Sequence, residues 1–295
     1  MRYVIDSNLN LSIKDFLRKE NISSALLRKL KRIPNGIMVN NKQENVLYKL
    51  KEHDVLELNI LDNFEDENEC LLAVDLPIEI IYEDDNLTVV NKPGNMPTHP
   101  SINNYDNTLA NALRYRYRDK PYVFRAANRL DKDTSGVVIT ANNSYYASLV
   151  SNAIKEGKAT KKYIAVVFGK LDGEGIIDKP IARVGKSIIK REVRDDGEKA
   201  ITKYKSLISN DQASLVELSP ITGRTHQLRV HLSCIGHPII GDSMYFEPSE
   251  KIGRQALHCF SMTIDNIGSY YAKIPDDILN LIRSYFPNEE NIFQN

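Results

Sequence analysis

Between Asn128 and Ile139 the sequence reads Asn-Arg-Leu-Asp-Lys-Asp-Thr-Ser-Gly-Val-Val-Ile, so two acids, Asp131 and Asp133, and two bases, Arg129 and Lys132, stand immediately before an apolar run. Several chemistries suit such crowding. Asp131, Asp133, Ser135 and Gly136 match the first half of a calcium-binding loop, where alternating oxygen ligands precede a glycine turn. The second half fails, because Asn142 stands where a bidentate glutamate is needed and Ile139-Thr140 continue as strand. A carboxylate pair for acid–base work is the next reading, since residues two apart on an extended chain face the same way. The intervening Lys132 and flanking Arg129 favour charge neutralisation instead, and a capped loop with surface ion pairs is a reading of equal standing.

A second concentration of chemistry-bearing residues lies at 223–245, where His226, His231, Cys234 and His237 invite a metal-site reading. On a helix, positions 226 and 231 point to different faces, and no carboxylate is suitably spaced, so no metal is expected. Gly236, Pro238 and Gly241 fit a turn after that helix. Lys186, Lys190, Arg191 and Arg194 form a charged, hairpin-like stretch, equally suited to gripping phosphates or to facing solvent.

The elements that must position these groups follow from apolar periodicity. Ile78 to Tyr82 and Leu87 to Val90 flank the turn Glu83-Asp84-Asp85-Asn86 and predict a hairpin. Further strands are predicted at 137–140, 163–168, 200–207, 214–218 and 256–264, with helices near 107–117, 143–155, 224–235 and 276–285. Strands outnumber helices and do not alternate with them, which predicts an α+β fold with a mixed, mainly antiparallel sheet rather than βαβ units. No glycine-rich phosphate loop and no internal repeat occurs, so no nucleotide cofactor is expected.

Lysine plus arginine equals aspartate plus glutamate at 39 each in 295 residues, and the neutral total hides an uneven distribution. No lysine or arginine occurs from Glu52 to Asn91, where Asp62, Glu65, Asp66, Glu67 and Glu69 suggest an acidic linker. Residues 1–62 hold 11 basic and 8 acidic side chains, and residues 92–295 hold 28 and 22, so two mildly basic modules flank it. Three cysteines, at 70, 234 and 259, are too few and scattered for a disulfide framework. With no signal-length or membrane-length apolar run, a cytoplasmic protein without a membrane partner is expected.

In the first module Ile13, Phe16 and Leu17, then Leu26, Leu27 and Leu30, recur at helical spacing, with Ser23-Ser24 available to cap the second helix. That helix carries Arg28, Lys29, Lys31 and Arg32, a group that taken alone also suits a solvated helix face. Ile37-Met38-Val39, the pair Asn40-Asn41 and the alternation of Leu56, Leu58 and Ile60 predict a small strand pair. Helix pair, basic helix, "GIMVNNK" and "EHDVLEL" resemble, over about residues 8–60, the small alpha-L RNA-binding domain first recognised in a ribosomal small-subunit protein. The glycine common in that family's turn is absent here. The resemblance implies RNA contact by Arg28, Lys29 and Arg32.

The large module resembles the RluA-type pseudouridine synthases. Their "HRLDxxTSG" box stands here as "NRLDKDTSG", and "VVNKPGNMPTHPS" (89–101), "KKYIAVVFG" (161–169), "GRTHQLRVHLSCIGHPIIGDSMY" (223–245) and "ALHCFSM" (256–262) follow in the family's order. The likeness spans nearly all of 75–285, with Asn128 in place of the family's usual histidine. It implies three segments: an alpha-L domain at 1–61, an acidic linker at 62–75 and a catalytic domain at 76–295.

Isomerising uridine requires breaking a carbon–nitrogen glycosidic bond, turning the uracil and rejoining it through carbon. A carboxylate serves either as nucleophile or as base toward the sugar, and the sequence does not choose between them. The resemblance makes Asp131 that carboxylate and places Arg229 against it, keeping the acid ionised by charge pairing and two-toothed hydrogen bonding. Tyr163 would stack on the target base, although by itself it also reads as a core tyrosine. Arg129 would fill the space left by the flipped base, its alternative being an ion pair with Asp131 or Asp133. The implied partner is structured RNA, large-subunit ribosomal RNA ahead of transfer RNA, with no cofactor and no obligate protein partner. A non-catalytic RNA-binding or RNA-chaperone protein is the rival, and Asp131, Tyr163 and Arg229 together favour catalysis.

Overall fold

The computed structural model describes residues 1–7, 10–20, 22–60, 71–120, 122–185, 187 and 189–287. The acidic core of the expected linker, Cys70 and Lys186 lie outside the described residues.

Strand β1 (Arg2–Val4) opens the chain, followed by helices α1 (Ile13–Lys19) and α2 (Ser24–Leu30) and strands β2 (Ile37–Val39), β3 (Lys42–Gln43) and β4 (Val55–Leu58). Ser12 and Ser23 cap the two helices by accepting from the amides of Asp15 and Leu26, which serves donors that a first helical turn leaves unpaired. Leu26, Leu27 and Leu30 are buried with Ile13, Leu17, Leu56 and Leu58 in one apolar cluster. The strands form an antiparallel sheet in the order β1-β4-β2-β3. Asn40 and Asn41 turn the β2–β3 hairpin at φ 50° and 64°, the left-handed region that a two-residue hairpin demands and that asparagine tolerates without glycine. The expected strand pair is thus a four-stranded sheet. Its two extra edges, β1 and β3, are three and two residues long and carry no readable alternation.

The second module is built on a nine-stranded sheet. Its strands are β5 (Glu79–Glu83), β6 (Leu87–Lys92), β7 (Ser135–Ala141), β8 (Ala159–Phe168), β9 (Glu174–Asp178), β12 (Ile201–Ser209), β13 (Ala213–Pro220), β14 (Leu257–Ile264) and β15 (Gly268–Tyr271). The order is β5-β6-β7-β14-β8-β13-β12-β9, with β15 on β14. Every pairing is antiparallel except β7 with β14. A separate hairpin joins β10 (Ile181–Arg183) to β11 (Arg191–Val193). Helices α3 (Leu109–Arg116), α4 (Ser144–Lys155) and α6 (Asp276–Tyr285) contribute Leu109, Leu113, Val150, Ile278 and Leu281 to the same core as the sheet. Each such side chain stabilises the fold by about 1.5–3 kcal/mol through removal from water. Helix α5 (Gln227–Cys234) completes the set.

All seven residues of β7 are buried, as a central strand requires. Its parallel contact with β14 is two residue pairs long, Ser135 with His258 and Gly136 with Cys259. Gly136 sits at φ 121°, and a Cβ there would lie 2.2 Å from the Cys259 carbonyl oxygen, so this crossing admits only glycine. The two modules meet at α4: the Ser23 amide donates to Ser148 Oγ at 2.7 Å, and Tyr145 packs against the N-terminal cluster.

Candidate active site

A cleft of about 1050 Å³ opens where β8, the end of β13, α5 and the turn before β7 converge, and Arg129, Asp131, Tyr163, His226 and Arg229 all line it. Asp131 lies in the turn that leads into β7, closed by the Thr134 amide donating to the Asp131 carbonyl at 3.1 Å. This turn breaks the extended path that would have set Asp131 beside Asp133, and Asp133 does not line the cleft. The turn is held from three sides. Thr98 Oγ1 donates to the Leu130 carbonyl at 3.2 Å. The fully buried Lys92 ammonium donates to the carbonyls of Pro93, Met96 and Lys132 at 2.7, 2.7 and 3.1 Å. Arg254 donates to the Asp133 carbonyl at 2.9 Å and pairs with Asp277 at 2.7 Å. Burial, with the nearby Arg254 charge, brings the Lys92 pKa down to about 7.

Asn128 closes the other flank of the turn. Its Nδ2 donates to the Val137 carbonyl at 3.0 Å and its Oδ1 accepts from the Ile139 amide at 2.9 Å. One side chain thereby satisfies a donor and an acceptor of β7, which is the positioning work this position performs in the absence of a histidine.

Arg229 projects from α5. Its Nη1 reaches Asp131 Oδ2 at 3.3 Å, while Nε and Nη2 grip the two oxygens of Asp242 at 2.7 Å each. The two-toothed partner expected in Asp131 is therefore Asp242, and Asp131 receives the remaining nitrogen. The reason is burial: Asp242 is 1% exposed and needs full compensation, whereas Asp131 keeps 29% of its side chain exposed in the cleft. Burial works against the Arg229 charge, but the Asp242 bonds, with Asp131 adding to them, outweigh it and raise its pKa.

Before α5, Gln227 fixes the chain by accepting from the Thr222 hydroxyl at 2.7 Å and the Arg224 amide at 3.0 Å. His226 is forced to φ 57° at the helix start, with no side-chain cap, and its ring enters the cleft. Its Nε2 is 3.8 Å from Asp131 Oδ2. Helix α5 consequently begins at Gln227 rather than at the expected 224. His231 is spoken for by Thr202 and the Lys179 carbonyl, and His237 by the Phe168 carbonyl, so the three histidines serve separate neighbourhoods.

Tyr163 is buried on β8, opposite Cys259 and Leu218, with part of its ring at the cleft wall. Burial and the neighbouring Cys259 raise its pKa well above the usual value, so its hydroxyl keeps its proton. Arg129 is exposed at the cleft, and among the described residues it makes no ion pair with Asp131 or Asp133. Arg28 and Arg32 are exposed at the end of α2, with Lys29 half-buried between them, in the other module. The cleft and this basic group are linked by α4, whose Ser148 meets α2 and whose Ile154 and Lys155 line the cleft, roughly 10 Å further along the helix.

Sequence reasoning overlooked Lys92, Asp242, Arg254 and the cleft-facing role of His226. By residue type they read as surface charges or, for His226, as one of a scattered group of histidines; Lys92, His226 and Asp242 stand inside the quoted motifs, whereas Arg254 lies outside them and carried no signal. No helix of the described residues is long and apolar enough to cross a membrane.

The RNA pseudouridylate synthase family matches residues 86–234, which contain Asp131, Tyr163 and Arg229. An uncharacterized RNA pseudouridine synthase of Bacillus subtilis, YjbO, is 36% identical over 92% of this chain and 99% of its own length. The ribosomal large subunit pseudouridine synthase D of Borreliella burgdorferi is 34% identical over 78% of this chain and 76% of its own. Among solved structures, human RNA pseudouridylate synthase domain containing 1 superposes with a TM-score of 0.57 at 30% identity, over 68% of this chain and 84% of that one. A cleft built around one aspartate and one doubly anchored arginine thus sits inside the shared region, and the chain belongs to the RNA pseudouridine synthases, a family of isomerases.

Proposed function

We propose that this chain isomerises specific uridines in structured RNA, large-subunit ribosomal RNA foremost, with Asp131 as the catalytic carboxylate. The observation that carries the reading is the Arg229 guanidinium, locked on Asp242 and directed at Asp131 on the wall of a cleft large enough for a nucleotide. A uridine flipped from its stack enters that cleft, at a cost of a few kcal/mol. Tyr163 holds the face of the uracil, and Arg129, exposed and free of Asp131 and Asp133, fills the space the base leaves. Asp131 acts on the sugar, the N1–C1′ bond breaks, the uracil turns, a C5–C1′ bond forms, and the proton lost from C5 is matched by one gained at N1.

Residues 1–61 act as an alpha-L RNA-binding domain, 62–75 as a linker and 76–295 as the catalytic domain of a cytoplasmic enzyme. Support comes from the separate N-terminal core, the capped basic helix α2 with Arg28, Lys29 and Arg32, and its link through α4 to the cleft. The ribosomal substrate is supported by relatives named as ribosomal large subunit enzymes. Pseudouridine mapping of total RNA from cells with and without the gene tests the reading. Loss at one or a few positions of large-subunit RNA is expected; loss confined to transfer RNA would move the substrate, and an unchanged map matched by inert purified enzyme would overturn the proposal.

A further inference from the structure

Tyr245 touches both groups that face Asp131. Its ring lies under the Arg229 guanidinium at 5.0 Å and meets the His226 ring edge-on at 5.7 Å. Its hydroxyl accepts from the Arg191 backbone amide of β11 at 2.9 Å and stands 2.9 Å from His226 Nδ1. Because an amide can only donate, the hydroxyl proton is left for Nδ1, which must then be the accepting nitrogen. The other tautomer would leave the hydroxyl proton without a partner and turn an Nε2 lone pair toward a carboxylate oxygen. Both arguments assign the proton to Nε2, the nitrogen 3.8 Å from Asp131 Oδ2.

We infer that Tyr245 and His226 form a positioning pair for the reactive carboxylate: the Tyr245 hydroxyl fixes His226 as the Nε2–H tautomer, and that N–H together with Arg229 occupies Oδ2 of Asp131, leaving Oδ1 to face the substrate. The inference rests on the reading of Asp131 as the catalytic group. The distance of 3.8 Å closes to a hydrogen bond with a shift of under 1 Å, in line with catalytic contacts that tighten when substrate fills a site. Four charged groups face His226: Asp131 and Asp242, which favour its protonation, and Arg229 and Arg191, which oppose it. Burial dominates them and lowers its pKa, so the ring is neutral at neutral pH and a tautomer is well defined. The left-handed backbone at His226 is consistent with a position held for its side chain rather than for capping α5.

The experiment combines the tautomer with kinetics. In ¹⁵N spectra of the full chain, with the His226 signals identified by their loss in His226→Gln, an unprotonated Nδ1 and a protonated Nε2 are expected. In Tyr245→Phe this preference should weaken. On a modified-site RNA, His226→Leu should lower kcat about 100-fold and Tyr245→Phe about 10-fold, each with RNA affinity within about twofold of wild type. His226→Gln, which restores a donor, should recover most of the His226→Leu loss. A protonated Nδ1 in the wild type, or full kcat in His226→Leu, overturns the inference. If His226→Leu does not fold, the wild-type tautomer and Tyr245→Phe decide the matter. Asp131→Asn is measured alongside: its retaining turnover would remove the underlying reading, whereas an inert Asp131→Asn beside a fully active His226→Leu would remove only this inference.

Discussion

Arg229 and Asp242 are joined by two parallel hydrogen bonds of 2.7 Å, in a setting where neither side chain is more than 7% exposed. This pair, rather than Arg229 with Asp131, fixes the guanidinium, and it leaves one nitrogen to reach Asp131 at 3.3 Å. Asp242→Ala takes from a buried arginine its two-toothed partner, which costs up to about 3–5 kcal/mol of stability. Arg229 is then free to swing toward Asp131, its remaining carboxylate partner, and loses its fixed orientation. We expect a lower urea midpoint, and in the folded fraction a kcat reduced at least 10-fold with RNA affinity unchanged. Full turnover in Asp242→Ala would show that Arg229 needs no such anchor.

Asn128 bridges to a carbonyl and an amide of β7 that no water can reach. Asn128→Leu leaves both unpaired, at about 1–3 kcal/mol each, and should lower the melting temperature together with activity. Asn128→His, which restores one donor and one acceptor, should retain activity within a few-fold. Calorimetry and initial rates on the two variants check this, and a tolerated leucine would contradict it.

His258 is fully buried where β14 meets β7, with Nδ1 at 2.9 Å from Ser135 Oγ. Burial, reinforced by the Arg254 charge, brings its pKa from 6.5 down to about 4. The unfolded chain therefore binds a proton that the native state refuses between those values, so stability falls as pH drops from 6.5 toward 4 and is not lost further below. The contribution is on the order of 3 kcal/mol. Urea unfolding at intervals from pH 7.5 to 4 should show a shallower decline in His258→Asn than in wild type. Parallel declines would mean that this ring titrates normally in the fold.

The basic end of α2 offers a test that is independent of chemistry. Replacing Arg28, Lys29 and Arg32 together by glutamine should weaken RNA binding and flatten the dependence of log K on log salt by about 0.9 for each phosphate that is no longer neutralised. Turnover at saturating RNA should be unchanged. An unaltered salt slope would remove RNA binding from this helix.

The sheet was legible where the chain is most regular. β7 and the apolar stretches within β8 and β13 are buried on both faces, and their composition alone marks them as strands. The short strands β1, β9 and β15 were not legible, because three to five residues at an edge carry too little alternation, whereas the charged hairpin-like stretch at 186–194 does contain β11, paired with β10. At the site, Asp131 and Arg229 were reachable through the ordered motifs around them. Asp242 and Lys92 stand in the same motifs, but their roles were not legible, since what distinguishes them from surface charges is complete burial, a property conferred by residues far away in sequence. The start of α5 was misplaced for the same reason: the Gln227 bonds to Thr222 and Arg224 that force His226 into a left-handed conformation are tertiary details.

The central claim is that Asp131 carries the reaction while Arg229, held by Asp242, supports it. The most direct test is single-turnover pseudouridine formation by purified wild type and Asp131→Asn on an RNA bearing a mapped site, with binding measured in parallel. The account predicts that Asp131→Asn binds the RNA within about threefold of wild type and forms no pseudouridine. Pseudouridine accumulating at a rate near that of wild type would contradict it.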